Sequence, residues 1–465
     1  MPEVLRCISP IDGAVYAERP LADFAAAAEL IARARRAQTV WAARPLAERV
    51  EVVRRGAECL CATSAEATPE LARMMGRPVR YGGEFGGVME RVSYMADIAE
   101  SALAPMTAEE SARFDRRIAR EPAGVILTVS PWNYPYLTAI NTVAPALIAG
   151  NAVLLKHSAQ TPLAGERMAR AFVAAGVPAD IMRNVFLSRA TTLSLIAAGE
   201  FDFVNFTGSV AGGRAVARAA ADSFTGLGLE LGGKDPGYVM EDADIEEAAA
   251  ALTDAAFFNS GQCCCGIERV YVAASCFDSF VEKAREIARA HVLGDPLNPE
   301  TTLGPMAARR FADAARAQLA EAESRGAVLL VDRKQFKNDD GGAYLAPQIA
   351  VNVSHEMALM REENFAPIAG VMPVANDDEA ASLMNDSDYG LTASLWTRDA
   401  ARAAALGARL QTGTVFMNRA DYLDPALCWS GRKNTGRGGA LSAVGYHNLT
   451  RTKSYHLKKA AREAV

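Results

Sequence analysis

Residues 124–155 read GVILTVSPWNYPYLTAINTVAPALIAGNAVLL. Gly124 to Val129 is a short, apolar, partly β-branched run, the pattern of a strand buried on both faces. Leu137 to Ala149 reads as a helix ended by Gly150, and Ala152 to Leu155 as the next strand. Strand, helix and strand in one short stretch make a βαβ unit, which requires a parallel sheet. Downstream, Thr161 to Ala175 is a helix closed by Gly176, and Asn184–Leu187 and Phe203–Phe206 are two more strands. A doubly wound α/β fold follows.

Past Pro236 the alternation begins again, with helices expected near 244–257 and 277–291 and strands near 268–273, 328–332, 366–374, 392–397 and 413–418. This predicts a second α/β unit. Upstream, 21–62 and 86–103 are rich in Ala, Arg, Glu and Leu at helical spacing and predict amphipathic helices. Arg113 to Glu121 and the tail from Leu449 belong to neither unit, and both suit strands outside the two sheets. A chain of 465 residues is long for one core, so two or three folding units are expected.

Half the residues are apolar and 22% are charged, the composition of an ordinary globular protein. A net charge of −6 gives no global attraction for nucleic acid or anionic lipid, so any anion site must be local. The eight cysteines, at 7, 59, 61, 263, 264, 265, 276 and 428, form neither a disulfide framework nor a paired CxxC metal site. Reduced thiols are the simplest reading. The opening residues, Met-Pro-Glu-Val-Leu-Arg, lack the basic and apolar regions of a secretory signal, and Thr142–Leu155 is too short to span a bilayer. A cytoplasmic location is expected.

Three of those cysteines are adjacent, in Phe257-Phe258-Asn259-Ser260-Gly261-Gln262-Cys263-Cys264-Cys265-Gly266-Ile267-Glu268-Arg269. Taken alone, such a run suits buried core as well as chemistry, because free cysteine is among the most buried residue types. Metal ligation is less favoured, since no His or second Cys cluster stands at ligand spacing. A catalytic thiol needs a partner, because its unperturbed pKa lies near 8.5. Leu229-Glu230-Leu231-Gly232-Gly233-Lys234 supplies a carboxylate among glycines that permit close approach.

The flanks carry a resemblance. Asn-x-Gly-Gln-x-Cys with Arg269 behind it, and Glu-Leu-Gly-Gly-Lys upstream, resemble the NAD(P)-dependent aldehyde dehydrogenase superfamily. Pro131-Trp132-Asn133-Tyr134-Pro135, Gly150-Asn151-Ala152-Val153 with Lys156, Phe206-Thr207-Gly208-Ser209, Glu362 to Pro367, Asn385 to Leu391 and Lys433-Asn434-Thr435-Gly436 match in order, from about 120 to 455. The resemblance implies a Rossmann-type cofactor domain (1–105 and 123–232), a catalytic domain (233–434) and a small β oligomerisation excursion (106–122 and 435–465). It further implies a homodimer or homotetramer, a small-molecule aldehyde substrate and no resident metal.

It also implies roles. Cys264 would be the nucleophile, passing through a thiohemiacetal and a thioester. Asn133 and the Cys264 backbone N–H would hold the oxyanion, and Glu230 would activate the hydrolytic water. Cys263 and Cys265 would line the pocket. No GxGxxG loop is present; in its place Gly208 and Ser209 would meet the pyrophosphate at a helix N-terminus. Trp132, Lys156, Ser158, Leu231, Glu363 and Phe365 complete the implied NAD(P) site. Lys156-His157-Ser158-Ala159-Gln160-Thr161-Pro162 departs from the family pattern, with Ala159 where a ribose-binding glutamate usually stands. That loss makes NADP tolerated or preferred, with His157 a candidate phosphate donor.

The implied substrate tunnel comprises Tyr134, Leu137, Asn141, Phe258, Cys263, Cys265, Asp421, Leu423 and Trp429. Asn141 stands where some relatives specific for succinate semialdehyde carry arginine, so a dicarboxylic semialdehyde is not favoured by that position. Arg269, expected to pair a carboxylate, Lys433 and Thr435 read as scaffold. Two alternatives remain open: a CoA-acylating relative, disfavoured by Glu230, and a catalytically silent binding member of the same fold.

Overall fold

The computed structural model describes residues 3–108 and 111–459. The quoted stretch forms the centre of a six-stranded sheet ordered Gly436–Arg437, Gly226–Glu230, Phe203–Thr207, Val125–Ser130, Ala152–His157, Met182–Asn184. All pairs are parallel except the first. Val125–Ser130 is buried at every position, as its lack of polar alternation requires. Helix Pro135–Ala149 begins with proline at its first position, where no N–H is needed, and ends at Gly150 in the left-handed conformation. From Val125–Ser130 the chain winds outward through Ala152–His157, then returns to Phe203–Thr207 on the other side. That reversal opens a crevice at the carboxyl ends of the two central strands.

The second sheet has seven strands, ordered Val328–Leu329, Gln348–Val351, Ile368–Val374, Ile267–Ala273, Asp235–Val239, Thr392–Trp396, Thr414–Met417. Its strands alternate between two apolar layers: Tyr238, Tyr271 and Leu395 belong to one, Val239, Val272 and Trp396 to the other. Leu231–Lys234 carries the chain from the carboxyl end of Gly226–Glu230 to the amino end of Asp235–Val239. The two sheets therefore present opposite strand ends to each other, and the candidate residues collect between them.

Phe114–Pro122 and Thr450–Lys458 pair antiparallel over nine residues, Phe114 opposite Lys458 and Pro122 opposite Thr450, with Met106–Thr107 on the far side. The strands expected outside the two sheets are thus present. Gly436–Arg437, just past the expected start of the C-terminal excursion, is an edge strand of the first sheet, and Ser442–Asn448 is a helix packed on Phe85–Leu103.

The amphipathic N-terminal helices are Phe24–Ala42, Leu46–Cys61 and Phe85–Leu103, joined by an unexpected fourth, Ser64–Met75, which accommodates Pro69. Two further features depart from the sequence reading. Val4–Ile8 and Val15–Pro20 form a hairpin, with Leu5 and Cys7 inward and their neighbours exposed. The strand expected at 184–187 is instead Met182–Asn184, and Val185 continues with one bond to the Leu155 carbonyl. No described helix is long and apolar enough to cross a membrane.

Candidate active site

Helix Ile245–Phe257 is pinned by Asp244 at its N-terminus, which accepts from the Glu247 N–H, and by buried Ala248, Leu252 and Phe257. Beyond Phe258, three consecutive residues are left-handed: Asn259 (φ 54°), Ser260 (φ 57°) and Gly261 (φ 71°). Such conformations cost a non-glycine residue on the order of 1–3 kcal/mol and persist only where the surroundings hold them. Here Asn259 Nδ2 donates to the Asn133 and Gln262 carbonyls, both at 3.2 Å, and Ser260 Oγ to the Gly304 carbonyl at 3.0 Å. Gln262, fully buried, donates to the Asn259 carbonyl and accepts from the Ala307 N–H at 2.7 Å. Any Cβ at 261 would collide with the Ala366 carbonyl, which explains the glycine. The loop delivers Cys263, Cys264 and Cys265 to the crevice and then enters Ile267–Ala273.

The three thiols are not equivalent. The neighbouring Cys263 side chain, then Cys265, lowers the Cys264 thiol below its ordinary range, against burial and the Asp421 and Asp235 carboxylates. The Cys264 contact, partly offset by Cys265, pushes Cys263 up to about 12, and Cys265 is raised too. Cys263 and Cys265 both donate to one Asp421 oxygen, at 3.1 and 2.9 Å. Their ligand-capable atoms lie within 4.8 Å of one another, a grouping that the spacing of the sequence did not foretell.

Two cavities meet at Cys264. One, of about 240 Å³, is lined by Tyr134, Leu137, Asn141, Phe258, Cys263, Cys265, Asp421, Leu423 and Trp429, every residue expected in the tunnel. The other, of about 500 Å³, is lined by Trp132, Asn133, Ser158, Gly208, Ser209, Glu363 and Phe365. Thr207, Glu230, Leu231 and Cys264 belong to both. Glu230, at the end of its strand, is pushed up to about 7 by burial, opposed by the Arg91 guanidinium. Trp429 closes the tunnel on the Ala440 backbone through two bonds of 2.9 and 2.8 Å.

Asn133 is 4% exposed and donates from Nδ2 to the Gln262 carbonyl at 3.2 Å, which leaves its second amide hydrogen free. Among the described residues no acceptor takes the Cys264 backbone N–H. Asn133 is itself held by Arg77, whose guanidinium donates to the Asn133 carbonyl, to Asn259 Oδ1 at 3.2 Å and to Glu84 at 2.8 Å. Glu84 turns its other oxygen to the Tyr136 and Leu137 N–H groups, capping helix Pro135–Ala149.

The second cavity has the parts a dinucleotide requires. Ser209 caps helix Val210–Ala219, accepting from Gly212 N–H, and Gly208 and Ser209 line the cavity at that helix N-terminus. Glu363 accepts from the Gly233 N–H at 3.1 Å, and a Cβ at Gly232 would run into its carboxylate. Burial, with the Glu268 charge next, pushes Glu363 up to about 8. Behind this loop the buried Lys234–Glu268 pair, 2.6 Å apart, receives the Asn364 and Phe365 N–H groups at 2.9 Å each. That bonding supports Phe365 at φ 50°, edge-on to Trp132. Lys156 lines an adjoining cavity of about 230 Å³ with Arg189 and Thr192.

Two expectations need correction. His157 is 3% exposed, packed against Gly165 with neither ring nitrogen bonded, and burial pushes it down to about 3. A neutral, enclosed imidazole is no phosphate donor. Arg269 pairs no carboxylate among the described residues; it donates to the carbonyls of Lys234, Leu383 and Met384 and to Tyr271. Lys433 bonds the Asn385 and Ser387 carbonyls and Thr435 the Gly232 carbonyl, both as scaffold. The sequence reading missed Arg77 and Glu84, in the segment between Ser64–Met75 and Phe85–Leu103, and Arg91 and Arg189 on helices, since isolated charges look like solvated surface until the fold is known.

A doubly wound sheet with a dinucleotide-sized cleft joined to a largely apolar tunnel is the architecture of a nicotinamide-dependent oxidoreductase. The aldehyde dehydrogenase family model matches residues 2–455, and the chain belongs to that family. It is 32% identical to a succinate-semialdehyde dehydrogenase [NADP(+)] of Deinococcus radiodurans over 96% of this chain and 93% of that one. A 3,6-anhydro-alpha-L-galactose dehydrogenase of Streptomyces coelicolor is also 32% identical, over 98% and 93%. The crystal structure of an indole-3-acetaldehyde dehydrogenase in complex with NAD+ superposes with a TM-score of 0.94 at 30% identity, covering 98% and 94%.

Arg77 and Glu84 are 3% and 2% exposed, so removing the cation strands a buried carboxylate. Arg77→Met is expected to cost roughly 3–5 kcal/mol of stability in urea unfolding. Arg77→Lys should recover only part of it, because an ammonium cannot serve three acceptors in the same plane.

Proposed function

We propose that the chain oxidises an aldehyde to a carboxylic acid through a covalent intermediate on Cys264. The observation that carries this reading is that Cys264 and Glu230 line both cavities. Cys264 Sγ adds to the carbonyl carbon, and negative charge moves to the carbonyl oxygen. The free Asn133 amide hydrogen and the Cys264 backbone N–H are the two donors for that oxygen. When bound, NAD(P)+ supplies the acceptor for the aldehyde hydrogen, taken as hydride. The carbonyl re-forms as a thioester on Cys264. Glu230 then takes a proton from water, the water oxygen attacks the thioester carbon, and the Cys264 thiolate leaves. A CoA-acylating enzyme would not need that carboxylate, so Glu230 favours hydrolysis.

Cofactor contacts are assigned by the same reasoning. Gly208 and Ser209 hold the pyrophosphate, Glu363 the nicotinamide ribose, and Trp132, Leu231 and Phe365 the ring. Lys156 and Ser158, joined by Arg189, take the adenosine end. Lys156 and Arg189 line a cavity with no carboxylate in its wall among the described residues. Ala159, which lines a different one, leaves out the glutamate that would repel a 2′-phosphate, and both features favour NADP. We also infer a division into 1–105 with 123–232, 233–434, and an excursion of 106–122 and 435–465. Thr450–Lys458 leaves a nine-residue edge with mostly exposed side chains, suited to a second copy and hence to a dimer or tetramer. Eight free thiols suit a cytoplasmic location.

Cys264→Ala should abolish cofactor reduction with every aldehyde of a panel; retained turnover would remove the assignment. Glu230→Gln should slow deacylation by about 10²–10⁴-fold and accumulate an acyl-enzyme visible by intact mass. Glu230 must be ionised to accept a proton, and its position near 7 lies above the usual 4.5. Hydrolysis should therefore fall as pH drops through about 7, and this limb should vanish in the variant. For the cofactor, kcat/KM should favour NADP over NAD, and Ala159→Glu should shift that ratio toward NAD; a strong NAD preference in the wild type contradicts the inference. Light scattering should return a multiple of the chain mass.

A further inference from the structure

The tunnel wall formed by helices Phe85–Leu103 and Pro135–Ala149 holds a cation that the reaction above does not use. Arg91 is 7% exposed and lines the tunnel that also contains Cys264. Its Nη1 donates to the Leu137 carbonyl at 2.8 Å and to Asn141 Oδ1 at 3.0 Å. Its Nε is buried without a partner, and no carboxylate within ion-pair distance faces it among the described residues. Arg77, the other buried arginine beside this site, has Glu84 at 2.8 Å. Glu84, already paired to Arg77, is the largest favourable charge on Arg91 but makes no bond to it. The buried guanidinium thus lacks a direct ion-pair partner among the described residues, a costly arrangement that suits an anion brought by a ligand.

Three acids share the cavity, and among the described residues none lies within ion-pair distance of Arg91. Asp421 is tied to the Cys263 and Cys265 thiols on another wall and is raised well above the carboxylate range by burial. Glu90 accepts from the Tyr422 hydroxyl and is exposed. Glu230 is also pushed up, so it is not a full negative charge at neutral pH. Arg91 is thus the one cation lining the tunnel among the described residues, and it has unused donors. We infer that Arg91, steadied by Asn141, is an anion subsite that selects short aldehydes bearing a carboxylate at the far end from the reacting carbonyl. The expectation against such substrates rested on Asn141 alone; the guanidinium arrives at Asn141 from a different helix.

This inference rests on the aldehyde-oxidation reading, and one pair of substrates separates the two. 4-Oxobutanoate and butanal share chain length and carbonyl, and differ in the terminal charge. In the wild type, kcat/KM for 4-oxobutanoate should exceed that for butanal by on the order of 100-fold, mainly through KM. Arg91→Gln should bring the ratio toward one, and Arg91→Lys should retain part of it. Glutarate, which cannot react, should raise the thermal midpoint of the wild type, and the shift should disappear in Arg91→Gln. A wild-type ratio near one overturns the inference even if the variant fails to fold. So does a ratio that survives in folded Arg91→Gln, which would make Arg91 only a link between two helices. Turnover of neither aldehyde nor any other aldehyde would defeat the underlying reading as well.

Discussion

The site depends on one buried ion pair. Arg77 and Glu84 lie far in sequence from the cysteine loop, yet between them they touch the Asn133 loop, the helix that follows it and the turn that leads into Cys264. Glu84 caps the helix that starts at Pro135, so it fixes where Tyr134 and Leu137 face the tunnel. Arg77 fastens the Asn133 backbone and the left-handed Asn259, and it lies over the Tyr134 ring. Two charges out of water are stable only when all their hydrogen-bonding capacity is satisfied, which makes this pair demanding of geometry. A shift in either loop would leave a charge exposed to a low-dielectric interior, so the strained cysteine loop is held from outside itself.

The facing strand ends do the rest. Because Gly226–Glu230 runs directly through two glycines into Asp235–Val239, the carboxyl ends of one sheet and the amino ends of the other bound a common space. Each site residue arrives from a different strand end: Asn133 after Val125–Ser130, Glu230 at the end of its own strand, Cys264 before Ile267–Ala273 and, for the cofactor, Glu363 before Ile368–Val374. Burial in that space keeps carboxyls partly protonated. Glu230 and Glu363 both lie far above the usual range for the same reason, loss of water.

The sequence was most legible where a pattern was local. Uniform apolar runs gave the central strands, and glycines gave the helix ends at 150 and 176. The motif residues of the site recur together because each lies in a short loop leaving or entering a strand. Illegible parts were those whose reason is distant. Ser64–Met75 keeps a proline because tertiary packing overrides propensity. The N-terminal hairpin is too short for its alternation to stand out. His157 looked available in the sequence, but its strand position turned it beneath the next helix.

Asn141 is the sharpest case, because a reading of that residue alone misses the charge beside it. A position-by-position comparison asks what stands at 141 and finds an amide. The tunnel, however, responds to whichever atoms occupy its volume, and the guanidinium of Arg91 reaches there from a helix separated by 50 residues in sequence. Asn141 contributes an acceptor, so an arginine bonded to it keeps its charge and gains a fixed direction. An arginine at 141 itself would need no such partner. The proposed selection is therefore a property of the wall that helices Phe85–Leu103 and Pro135–Ala149 make together.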